Sequence, residues 1–170
     1  VRSFSRKYRI TIFDFPNQGR SRIFSGSCSV SFDEQVDILN AVVNETRAYY
    51  HLTVCSASWG GVVADAFAGK YPQKIDSLIL ASMGTRPNKR MMDTIKKGIR
   101  IPPESRKEMA LTLISSFGQD LPESVKNKII HQFSRMTPDA LEAFSKHGSF
   151  IVSAGEISDV IDLSKIRCKT

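Results

Sequence analysis

Ser58 stands in the segment Ser56-Ala57-Ser58-Trp59-Gly60-Gly61, between the apolar run Leu52-Thr53-Val54-Cys55 and a helical stripe of Val62, Val63, Ala66, Phe67 and Tyr71. A serine at a tight strand-to-helix turn has its hydroxyl pushed out at the end of the sheet, and the turn closes only if its neighbours are small. Ser56 on the strand side and Gly60 and Gly61 on the helix side meet that demand, with Ser56 where glycine is usual. The turn also aims the Trp59 backbone N–H and the helix N-terminus at an oxygen that turns negative when serine attacks a carbonyl. The chemistry this pattern suits is acyl transfer through Ser58, with Trp59 supplying an oxyanion donor. A plain small-residue turn can carry the same string. The strand before, the helix after and the loop Asp14-Phe15-Pro16-Asn17-Gln18-Gly19-Arg20-Ser21 behind an earlier strand favour the nucleophile.

A serine nucleophile needs a general base, and the base needs an orienting carboxylate. The histidines that follow Ser58 are His131 and His147. Asp120 or Asp139 followed by His147 satisfies the order serine, acid, histidine, but all of them fall in a helical stretch. They read as surface or lid residues rather than a triad. His51 precedes its strand and so sits at the wrong end of the sheet. The three histidines lack ligand spacing, Cys28, Cys55 and Cys168 form no CxxC pair, and no GxGxxG is present. No metal, redox cofactor or disulfide framework is therefore expected.

The elements around Ser58 follow from periodicity. Tyr8–Phe13 is a β-branched and aromatic run that predicts a first strand. Ser31-Phe32-Asp33-Glu34 is a capping box, and Phe32, Val36, Leu39, Val42 and Val43 continue it as a helix to about Tyr49. Residues 52–55 and 75–81 predict two further strands buried on both faces, as in a parallel sheet. Strand, helix, strand, helix, strand is the rhythm of parallel strands with right-handed crossovers. After Gly84 the texture changes to four short helices, at 91–98, 103–117, 122–135 and 138–146, three of them opening on proline. Residues 86–160 contain no convincing strand and read as a helical cap over the sheet.

With 170 residues, 41% hydrophobic and 24% charged, the chain can bury a core, as one domain or part of a larger one. It shows neither a signal-peptide stretch nor an apolar run of membrane-spanning length. The widely spaced cysteines suit a reducing compartment, so a cytoplasmic protein without a membrane span is expected. The net charge of +7 lies in two places: residues 1–22 carry +5, residues 86–107 carry +6 and the remainder −4. Neither segment interleaves aromatics as a base-stacking surface would, so solvated basic faces are expected and no nucleic-acid partner.

FDFPNQGRS (Phe13–Ser21) and SASWGG (Ser56–Gly61) resemble the loop after the fourth strand and the nucleophile elbow of the α/β-hydrolase superfamily. Within it, FDFPNQGRSR, DEQVDILNAVV, SASWGG and PNKRMMD are most similar to the hydroxyalkanoyloxyalkanoate synthase type, the acyltransferases of rhamnolipid synthesis, over about residues 8–98. The resemblance implies a partial α/β-hydrolase fold over residues 1–85, a lid over 86–160 and a return towards core strands over 161–170. It also implies a serine acyl-enzyme and a small-molecule acyl ester or thioester as substrate, with acyl carrier protein as a candidate donor that the basic segment 86–107 would suit. Acid and base follow two later strands in this superfamily, so an internal fragment without turnover of its own is expected. A non-catalytic relative that binds a small ligand under its lid is the alternative.

Overall fold

The structure, a computed structural model, describes residues 3–23, 30–46 and 51–170. The capping box forms as its sequence requires. Glu34 N–H donates to Ser31 Oγ at 3.2 Å, and Ser31 N–H donates to Glu34 Oε2 at 2.7 Å. Helix α1, Phe32–Thr46, starts there and buries Gln35, Val36, Leu39 and Val43. The expected continuation to Tyr49 lies outside the described residues. Strand β1, Thr53–Ala57, leads through Ser58 into helix α2, Trp59–Lys70, and Pro72 opens a short 3-10 turn at Pro72–Lys74. Strand β2, Ser77–Ala81, then lies parallel to β1, with Thr53 opposite Ser77 and Ala57 opposite Ala81. On the far side of β2 the backbone of Lys169 makes a parallel bridge with Ser77.

Beyond β2 come helices α3, Lys89–Gly98; α4, Arg106–Phe117; α5, Glu123–Ser134; and α6, Pro138–Ala154. Helix α6 runs eight residues past the expected end at Lys146. Phe150 and Ile151 extend its apolar face, and it stops only at Gly155, whose φ of +77° is one that glycine takes without strain. The core is built where α1 and α2 meet the sheet, around Val36, Leu39, Val63, Phe67, Ile75 and Leu78. A second cluster, Val62, Ile151, Ile157 and Ile161, ties α2 to α6 and the turn behind it. A third, Ile101, Met109 and Leu141, joins the helices to one another.

Two strand expectations are corrected. Tyr8–Phe13 is not a strand but irregular chain that starts in a bend, with Tyr8 64% and Ile12 70% exposed. A strand is defined by a hydrogen-bonded neighbour, and among the described residues β1 and β2 pair with each other rather than with this segment. Propensity without a partner leaves the chain unpaired. Nor are β1 and β2 buried on both faces. Val54 and Ser56 turn inward while Thr53, Cys55 and Ala57 turn out, and Ile79 is 56% exposed. The core that α1 and α2 make with the sheet occupies one of its faces, and burial on both faces would need a layer on each.

Candidate active site

Ser58 leaves β1 with φ 51° and ψ −124° and caps α2. A positive φ on a residue with a Cβ is strained, at a cost of about 1–3 kcal/mol, and persists only where the surroundings enforce it. Two backbone bonds do so here: Ser58 N–H donates to Ala81 C=O at 3.0 Å, and Gly61 N–H donates to Ser58 C=O at 2.8 Å. The residue is exposed, and its hydroxyl makes no hydrogen bond among the described residues. As the first residue of α2, Trp59 has a backbone N–H with no acceptor inside the helix.

The small neighbours divide differently from expectation. A Cβ on Gly60 would lie 3.7 Å from Ser56 Cβ, an ordinary contact, so a clash with the strand does not explain this glycine. A Cβ on Gly61 would lie 3.0 Å from Met83 Cγ, so Gly61 instead lets α2 pack closely against the chain leaving β2. Ser56, where glycine is usual, has a buried hydroxyl without a partner among the described residues. The Asp14–Ser21 loop is knit by its aspartate: Oδ2 accepts from Arg20 N–H at 3.0 Å and the backbone C=O from Ser21 Oγ at 2.8 Å. Gly19 has φ +51°, and a Cβ there would run into the Asp14 carboxylate.

Ser58 opens onto a cavity of about 450 Å³ between the C-terminal ends of the strands and helices α3 to α6. Val62, Met91, Ile95, Leu113, Phe117 and Ile151 give it an apolar wall. Its polar side chains are Ser58, Ser82, Arg86, Thr94, Ser145 and His147. Arg86 is paired with Glu156, and Thr94 Oγ1 donates to Arg90 C=O and accepts from Ser116 Oγ, both at 2.8 Å. Ser82 follows β2 as Ser58 follows β1, and it too has a positive φ, 52°. Two strained serines thus stand side by side at the strand ends.

A model of the alpha/beta hydrolase fold matches residues 1–127. The chain belongs to the alpha/beta hydrolase fold family. The solved structure of MGS-M2, an alpha/beta hydrolase enzyme from a Medee basin deep-sea metagenome library, superposes with a TM-score of 0.65 at 20% identity. That likeness covers 91% of this chain, while the chain spans 57% of the length of that one. Comparison with curated proteins finds no match.

Within this alpha/beta hydrolase chain, the other candidates fall as follows. His51 is exposed at the entry to β1, with Nδ1 3.5 Å from Asp76 Oδ1, far from the strand ends. His131 is exposed on α5, and Asp120 and Asp139 are exposed. Of the two expected positions, surface or lid, His147 takes the second, within the helical stretch 86–160. It is half-buried on α6, borders the same cavity as Ser58, and stacks on Trp59 with ring centroids 4.3 Å apart and planes 7° from parallel. Burial pushes its pKa down to about 4, so the ring is neutral at pH 7. Among the described residues no carboxylate is paired with His131 or His147.

Sequence reasoning missed Gln35 and Ser82. Gln35 sits on the apolar stripe of α1, 4% exposed, and accepts from Trp59 Nε1 at 2.8 Å through Oε1. A polar residue at a core position of a capped helix was the one available hint. Ser82 belongs to no motif.

Proposed function

We propose that Ser58 is the nucleophile of a serine enzyme that transfers acyl groups or hydrolyses acyl esters or thioesters. The strained strand-to-helix turn at the mouth of a mostly apolar cavity carries this reading. In the reaction, Ser58 Oγ attacks the acyl carbonyl carbon and passes its proton to a base. The carbonyl oxygen gathers charge against the Trp59 N–H, and the alcohol or thiol leaves to give an ester on Ser58. Water or a hydroxyl acceptor then attacks that ester and releases the acyl group. The roughly 450 Å³ apolar cavity suits a fatty-acyl or hydroxyacyl chain, as in the hydroxyalkanoyloxyalkanoate synthase type. Acyl carrier protein is the proposed donor carrier, the basic 86–107 stretch its proposed contact and the cytoplasm its setting. We read helices α3 to α6 as the lid of this site, and Ser56, Gly60 and Gly61 as the frame of the elbow.

The Ser58 hydroxyl has no base beside it among the described residues, so the 170-residue chain by itself is predicted to hydrolyse p-nitrophenyl esters no faster than its Ser58→Ala variant. The test of function uses the full-length gene product and acyl-carrier thioesters. Release of a hydroxyacyl dimer identifies an acyltransferase, and free acid alone a thioesterase or esterase. In either case Ser58→Ala abolishes turnover, and turnover retained in that variant overturns the proposal. The same unpartnered hydroxyl favours the second reading, a non-catalytic ligand-binding relative, which predicts acyl binding with no product of either kind.

A further inference from the structure

The hydrogen bonds behind Trp59 determine which nitrogen of His147 carries its proton. An indole N–H can only donate, so the oxygen of the Gln35 amide is the atom facing Trp59 Nε1, at 2.8 Å. That turns the amide NH₂, which has only donors, towards Val30 C=O at 3.3 Å and His147 Nε2 at 3.5 Å. Nε2 therefore presents a lone pair to Gln35, and a neutral ring has its hydrogen on Nδ1. Nδ1 has no acceptor among the described residues. The stack on Trp59 fixes the plane of the ring, and the ring borders the cavity that holds Ser58.

We propose that His147 is a substrate-positioning residue: a neutral imidazole whose Nδ1–H bonds an acceptor oxygen of the ligand occupying the Ser58 cavity. The inference rests on the cavity being an acyl-binding site, and it assigns the histidine a role other than base. A base for Ser58 needs an open lone pair, whereas Nε2 faces the Gln35 amide and Nδ1 already carries a hydrogen. Much of the remaining wall is apolar, so this donor would help to fix how far along the cavity an oxygen-bearing ligand sits. Trp59, whose indole the same glutamine holds, couples the donor to the elbow.

The test is made on the intact chain. Side-chain ¹⁵N correlation spectra of its three histidines at pH 7 should show His147 neutral with hydrogen on Nδ1. Hydrogen on Nε2, or a cationic ring, overturns the assignment, and this reading needs no variant to fold. Ligand contact is read with two probes of equal chain length, decan-2-one and decane, through the fluorescence of Trp59, the single tryptophan. His147→Phe keeps an aromatic ring on Trp59 and removes the donor. It should weaken ketone binding about five-fold and leave decane unchanged. Equal loss for both probes, or no loss for the ketone, overturns the proposal while leaving the acyl reading of the cavity in place. If neither probe binds the unaltered chain, that reading fails and the proposal fails with it.

Discussion

Asp65 and His147 are buried in opposite electrostatic senses. Asp65 lies inside α2, 4% exposed, and burial pushes its pKa up from 3.8 to about 6. Folding therefore favours its protonated form, and the stability this gives, complete below pH 3.8, is lost as pH rises through about 6. His147 is shifted down from 6.5 to about 4, so its contribution is complete above pH 6.5 and lost as pH falls through about 4. The two slopes oppose each other across pH 4 to 6. Asp65→Asn should unmask a stability that falls on acidification, and His147→Phe one that falls as pH rises. Urea unfolding at a series of pH values checks both, and variants whose profiles keep the parent's slope contradict the assignment. Neither behaviour is legible in the sequence, where Asp65 is one polar residue on an apolar helix and His147 one of three histidines.

Helices were legible and the sheet less so, because helical signals are local and strand pairing is not. The capping box at Ser31 and Glu34 is complete within four residues, and its hydrogen bonds appear as the sequence requires, with the Ser31 hydroxyl holding the Glu34 carboxyl below its ordinary pKa. Ser31→Ala should lower stability by about 1 kcal/mol, read by chemical denaturation; no change would mean that α1 is held by its packing alone. The four helices after Gly84 were legible in number and place, but of the three expected to open on proline only α6 does: α4 starts at Arg106 rather than Pro103, and Pro122 precedes the first residue of α5. The length of α6 was not legible, because its end depends on Phe150 and Ile151 packing beside α2. Gly148 on that helix faces α3, where a Cβ would lie 3.0 Å from Ile95 Cγ2, a close approach that no local pattern reveals. Tyr8–Phe13 has strand propensity in full and no neighbour to pair with among the described residues.

At the scale of the whole molecule, a strained serine stands at one end of a parallel strand pair, beside a cavity that helices line. The turn was legible because its parts are contiguous: an apolar strand run, small residues and a helical stripe. The cavity wall was not, since it gathers side chains from α2 to α6, and Gln35 joins it from α1 through the Trp59 indole. Charge follows the same division. The basic residues of 86–107 are split between ion pairs, as Arg86 with Glu156 and Lys89 with Asp93, and exposed positions such as Lys96, Lys97 and Arg100. On the proposed reading, the chemistry of this chain turns on Ser58. The most direct measurement is labelling of the full-length gene product with a fluorophosphonate probe, with the modified peptide located by mass spectrometry. The account predicts a single adduct on Ser58, absent from Ser58→Ala; an adduct elsewhere, or labelling that survives the substitution, contradicts it.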